Sequence, residues 1–174
     1  MANFSKICKW VMQQEDAGLT GKIVDMRDGQ GSTRFGIAQK SHPEVDPWFF
    51  STTMPAALAL PIAEGVYRNT YWNRFQGDAI VDDGVASCLL SFAINDGTVR
   101  EVQMLQECLN LPIDGIVGPV TLEHTNAFNS GVLAAALRAA QGDFYRAVVA
   151  NNPERAPYLP AWLKRANRVY PSLA

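Results

Sequence analysis

Apolar residues recur at helical spacing through most of the chain. Phe4, Ile7, Cys8, Val11 and Met12 follow the i, i+3, i+4, i+7, i+8 pattern of an amphipathic helix, which Gly18 and Gly21 then break. Residues 20–37 are rich in Gly and Asp, with short β-compatible pieces at Ile23-Val24 and over 34–37, and read as a small hairpin or irregular β lobe. A second helix is predicted over 61–72, opened by Pro61 at a favoured first helical position, with Ile62, Val66 and Tyr67 facing inward. The next starts near Asp83, carries Val85, Leu89 and Phe92 as its stripe, and stops at Asn95-Asp96-Gly97. Thr98-Val99-Arg100-Glu101 has the form of a capping box, so a helix that buries Val102, Leu105 and Leu109 is expected from there. Gly118-Pro119 opens another, 130–150 makes a long one with Leu133, Leu137, Phe144 and Val148 inward, and Pro160 opens the last. The expected fold class is therefore mainly α, with a small β-hairpin insert after the first helix. Linkers longer than a few residues are absent, which predicts 1–174 as a single compact unit with two lobes, 1–97 and 98–174.

Composition narrows the function classes. A chain of 174 residues, 48% hydrophobic and 18% charged, can bury a sizeable core. Its net charge of -2 and its fifteen scattered basic residues argue against nucleic acid as a partner, because phosphate backbones require clustered Lys and Arg. The apolar run 55–63 is short and carries two prolines, so no membrane insertion is expected. The first residues lack the apolar core of a secretory signal, and the expected location is a cytoplasm from which another factor must release the protein. Cys8, Cys88 and Cys108 sit among apolar residues and read as reduced, buried cysteines.

Candidate chemistry centres on Glu15, which falls close to the face of Phe4, Cys8 and Val11. A carboxylate at the edge of a core and at a helix C-terminus has its charged form disfavoured twice, by burial and by the helix dipole, as a general acid requires. The plain alternative is a surface glutamate ending a helix. Asp25 and Asp28 follow on the Gly-rich segment, with Thr33 shortly after; a carboxylate facing the acid can steady an oxocarbenium ion or hold the attacking water, and a threonine hydroxyl can help position it. Equally, Asp25, Asp28 and Gly29 are turn formers. A zinc amidase would need several grouped ligands, whereas His42 and His124 are the only histidines. A Cys108–His124 peptidase pair lacks any local sign of an activated thiol.

The string Asp28-Gly29-Gln30-Gly31-Ser32-Thr33-Arg34-Phe35-Gly36-Ile37 resembles the Asp-Pro-Gly-Gly-x-Thr-Lys-Tyr-Gly-Ile signature of glycoside hydrolase family 108, peptidoglycan hydrolases found as phage endolysins and secretion activators. The family's Glu-Gly-Gly motif at the end of the first helix corresponds to Glu15-Asp16-Ala17-Gly18, without its first glycine and with a longer loop before Asp25. Asp25 and Asp28 match the family's paired aspartates, while Gly29-Gln30 replaces Pro-Gly. Ala63-Glu64-Gly65-Val66-Tyr67, Tyr71-Trp72, Phe92-Ala93-Ile94-Asn95-Asp96-Gly97, Asp114-Gly115-Ile116-Val117-Gly118-Pro119-Val120-Thr121-Leu122 and Trp162-Leu163-Lys164-Arg165 continue the resemblance in order over nearly the whole chain.

The resemblance implies a lysozyme-like fold, with 1–97 as catalytic lobe and 98–174 as a helical peptidoglycan-binding half packed on it. It implies a muramidase that hydrolyses the MurNAc–GlcNAc bond of peptidoglycan glycan strands, with Glu15 as acid and supporting roles for Asp28, Thr33 and Asp25. Tyr71 and Trp72 either stack on sugar rings or pack in the core; Asn95 either hydrogen-bonds an N-acetyl group or caps its helix. Cofactor and metal are expected to be absent and the protein to act as a monomer, a phage endolysin released by a holin. A lytic transglycosylase, which closes an anhydro ring without water, and a non-catalytic wall-binding protein are the competing readings.

Overall fold

The first apolar stripe forms helix α1 (Phe4–Met12), with Ile7, Cys8, Val11 and Met12 buried. The helix stops three residues before Glu15. Bonds from Gln14 N to Val11 O and from Glu15 N to Met12 O, both 3.0 Å, tighten its last turn into 3₁₀ form. The computed structural model describes residues 1–25 and 31–171, and within it Phe4–Thr70 makes one compact unit while Met1–Asn3 and Tyr71–Ala174 make a second.

In the Phe4–Thr70 unit, strands β1 (Val24–Asp25), β2 (Ser32–Arg34) and β3 (Ile37–Ala38) form an antiparallel sheet in that order, the small β insert expected after the first helix. Val24 pairs with Thr33 and Asp25 with Ser32, while Thr33 also pairs with Ala38 and Arg34 with Ile37. The piece 34–37, expected as one strand, is instead a hairpin corner. Phe35 and Gly36 form its two-residue loop, with φ of 49° and 80°, the positive values of a type I′ turn. Helix α2 (Ala56–Thr70) begins upstream of the expected start at Pro61. Residues 56–60 read Ala-Ala-Leu-Ala-Leu, strong helix formers. The proline that opens the helix is Pro55, whose carbonyl accepts from Leu58 N at 3.0 Å and Ala59 N at 3.1 Å. Pro61 lies inside the helix on its exposed side. Ala59, Ala63 and Tyr67 form the buried stripe; Ile62, expected to face inward, is 38% exposed.

The second unit is built around α3 (Asp83–Asp96), N-capped by Asp82, whose Oδ1 accepts from Val85 N at 2.8 Å. Every residue over 85–93 is buried, because α4 (Thr98–Cys108) and α6 (Ser130–Asn151) both pack on this helix. Between them comes α5 (Pro119–Ala127), and α7 (Leu159–Ala166) closes the set against α6. The capping box does not form. Gly97, at φ +86°, takes the N-cap place of α4 and Thr98 lies one residue inside, which carries Glu101 onto the buried face. The Asp114-Gly115 motif folds as a lock around buried Gln106. Its Nε2 donates to Asp114 Oδ1 at 2.6 Å and to Ile116 O at 3.0 Å, and its Oε1 accepts from Gly115 N at 2.8 Å. The chain start belongs to this unit through Ala2 N to Ile80 O, 2.8 Å, and Asn3 N to Asp83 Oδ1, 2.7 Å.

Candidate functional site

Glu15 sits in the turn beyond α1, exposed rather than at the buried edge of the stripe, because the helix has already ended. Its side chain lies against the β2–β3 corner. A β-carbon placed on Gly36 would stand 3.3 Å from Glu15 Cγ and 2.6 Å from Tyr67 Oη, so only glycine lets the corner close between those two side chains. Tyr67 Oη also donates to Phe35 O at 2.9 Å. Phe35 is a bulky residue in the left-handed region, a conformation that costs about 1–2 kcal/mol. It is held there by that hydrogen bond and by burial of its ring.

The departure from the family motif at Asp16 has a local role. Asp16 accepts from Thr20 Oγ1 at 3.0 Å and from Gly21 N at 2.7 Å, tying down the longer loop after Glu15. Burial opposes ionisation there, but the hydrogen bonds from Thr20, Gly21 and Lys22 prevail and hold this carboxyl below the ordinary carboxylate range. Arg34 does the same work from beneath: Nε donates to Gly21 O at 2.8 Å, Nη1 to Phe49 O at 2.9 Å and Nη2 to Met54 O at 2.8 Å. One buried guanidinium thus joins the loop after Glu15, the hairpin strand and the segment leading into α2.

The sheet register separates two of the expected residues. Paired residues share a face and neighbours alternate, so Val24, Thr33 and Ala38 lie on one face, and Asp25, Ser32, Arg34 and Ile37 on the other. Asp25, exposed, and Thr33, half-buried, therefore point to opposite sides. Asp28 lies outside the described residues. Tyr67 and Gly36, whose contacts hold the corner beside Glu15, were not singled out as site residues from the sequence. The local signal present was Gly36 inside the β-compatible piece 34–37, where an isolated glycine marks a bend or turn.

In the second unit, Trp72 is fully buried, its Nε1 donating to Asp78 Oδ1 at 2.9 Å and its ring 5.5 Å from that of Phe75. Gly77 lies so close to the indole that a β-carbon there would stand 2.3 Å from it. Of the two readings of Trp72, core packing is the one realised. Tyr71 is half-buried. Asn95 does not cap α3: Nδ2 donates to Ser91 O at 2.7 Å and Oδ1 accepts from Arg165 Nη1. All three cysteines are free thiols. Burial pushes Cys8 up to about 12, and Cys88 and Cys108 up to about 11, the opposite of an activated nucleophile. Among the described residues no group of three or more His, Cys, Asp or Glu side chains is placed to hold a metal ion.

Residues 8–97 match a family model described as glycosyl hydrolase 108, and residues 100–167 match one described as a predicted peptidoglycan domain. The solved structure of Brucella abortus SagA is similar, with 26% sequence identity, a TM-score of 0.64, and 94% of this chain and 92% of that chain covered. No curated protein sequence matches. The helices, the small antiparallel sheet and these matches together give a lysozyme-like fold.

Proposed function

The chain belongs to glycosyl hydrolase family 108 and is a glycosidase acting on peptidoglycan; from that premise we propose that it is a muramidase that hydrolyses the MurNAc–GlcNAc bond with Glu15 as general acid. The observation that carries this reading is the seat of Glu15 against Gly36, in a corner clamped by Tyr67 and strained at Phe35. In the proposed step the Glu15 carboxyl gives its proton to the glycosidic oxygen as the C–O bond breaks. Water adds to the oxocarbenium carbon and its proton leaves to a base, so each cleavage consumes one water and leaves a reducing muramic end. Asp28 is proposed to steady the cation or take the water proton, and Thr33 to position that water. Asp25, exposed and on the opposite face from Thr33, has a lesser, loop-bracing role. Tyr71 remains a proposed sugar contact.

The test is mass spectrometry of digested peptidoglycan, with Glu15→Gln in parallel. Reducing muramic ends are expected from the native chain, with a loss of orders of magnitude in rate for Glu15→Gln at an unchanged melting temperature. Anhydro ends would replace hydrolysis by transglycosylation, and free stem peptides would remove the glycosidase step altogether. Asp28→Asn is expected to slow lysis more than Asp25→Asn at equal stability; the reverse order would exchange their roles. We further propose an endolysin role in phage lysis, with expression lysing cells only when a membrane-permeabilising holin is supplied. Lysis without one would point to another route to the wall.

A further inference from the structure

A cavity of about 200 Å³ opens in the second unit between the end of α3, the C-terminal third of α6, the 3₁₀ helix Pro153–Tyr158 and α7. Hydrogen-bond donors dominate its lining. Arg155 and Arg165 bring two guanidinium groups against one carboxylate, Asp96, which accepts from Tyr145 Oη at 2.8 Å and Gln141 Nε2 at 3.1 Å and also lies in the field of Arg165. Asn95 Oδ1 accepts from Arg165 Nη1 and fixes where that guanidinium lies. The exposed Arg155 side chain has no hydrogen-bond or ion-pair partner among the described residues. Phe144 and Val148 give the cavity an apolar wall.

A sugar ring would suit this cavity poorly. Sugar hydroxyls call for acceptors as well as donors, and the apolar face of a sugar ring gains from an open aromatic face to stack on. The ring of Trp162 is instead occupied by protein, with Tyr145 at 5.2 Å and Tyr158 at 5.8 Å between centroids. Guanidinium donors beside a small apolar wall suit a carboxylate carried on a short alkyl group. We infer that this cavity binds the free carboxylate end of a peptidoglycan stem peptide, Arg155 and Arg165 gripping the carboxylate while Phe144 and Val148 receive the adjoining side chain. The inference rests on peptidoglycan as the substrate and adds to the glycan-cutting site a separate grip on the peptide.

The experiment is calorimetric titration of the full chain with acetyl-lysyl-D-alanyl-D-alanine, with its C-terminal carboxamide, and with peptide-free glycan oligomers. The free acid is expected to bind at least about tenfold more tightly than the carboxamide, as loss of a charge-assisted pair predicts. Arg155→Ala, at an exposed position where no core contact is lost, is expected to bring the acid down to the level of the carboxamide. Equal binding of acid and carboxamide, an unchanged Arg155→Ala, or Arg155-dependent binding of the peptide-free glycan would each overturn the inference. If neither peptide binds while the chain still cuts peptidoglycan, this inference falls and the proposed function stands. If the acid binds while intact peptidoglycan is not cut, the reverse holds.

Discussion

At the scale of single residues, Gly36 and Glu101 carry the sharpest expectations. Gly36→Ala must adopt φ near +80° and bring a methyl group within 2.6 Å of Tyr67 Oη. The backbone alone should cost about 1–2 kcal/mol, with the contact adding to it. A lower denaturant midpoint and slower lysis are expected together. Tyr67→Phe removes the crowding oxygen as well as the bond to Phe35 O, so a double-mutant cycle should show the two changes partly cancelling. Simple additivity would mean that the corner relaxes around the methyl group. Glu101 is fully buried on α4, with Oε1 lacking a hydrogen-bond partner among the described residues. Burial, and then the charge of Asp96, push its carboxyl well above the ordinary range. A raised folded-state value means that the protein holds this proton more tightly than the unfolded chain does. The resulting stabilisation is full below about pH 4 and is lost as pH rises towards the folded-state value. Glu101→Gln should therefore raise the melting temperature at pH 8, by about 2–4 °C for each kcal/mol recovered, and change it little at pH 4. Parallel curves for the two proteins between those pH values would refute the linkage.

At the scale of elements, Pro61 offers a direct test of the revised boundary of α2. It lies inside the helix on an exposed position, where it removes the bond to the carbonyl of Ala57. Pro61→Ala should stabilise the protein by roughly 1–3 kcal/mol, seen as a higher denaturant midpoint with an unchanged m-value. A loss of stability would show that the proline is needed for the path of the helix. The sequence reading succeeded where a signal repeats along one element. The stripe of α1, the stop of α3 at Asn95-Asp96-Gly97 and the proline starts of α5 and α7 are all local patterns. It failed where two local signals compete. Two prolines flank the Ala/Leu run that opens α2, and Gly97 takes the N-cap place that Thr98 also fits. The motif singles out Glu15 as a candidate, but its exposed seat is not legible, because the tightening of the last turn of α1 leaves no trace in periodicity. The clamp on Gly36 joins Tyr67 to Phe35 across 32 positions, a distance at which no spacing rule operates.

At the scale of the whole molecule, the family matches divide the chain near residue 97, yet α3 lies before that point and its buried residues are covered by α4 and α6, which lie after it. A chain ending at residue 97 should leave the apolar surface of 85–93 exposed. It is expected to bind a hydrophobic dye and to lack near-ultraviolet dichroism, and a cooperatively melting 1–97 fragment would refute this. The compact units divide elsewhere, after Asn3 and after Thr70, so that one is an insertion near the start of the other. This arrangement has a consequence for the order of assembly during synthesis. Residues 4–70 emerge from the ribosome before Ile80 and Asp83 do, and chains are made at about 5–20 residues per second. The amides of Ala2 and Asn3, among the first to be made, must therefore wait for acceptors some 80 positions later. The beginning of the polypeptide is thus fastened only once translation has passed the inserted unit, which gives that unit the first opportunity to reach its own fold.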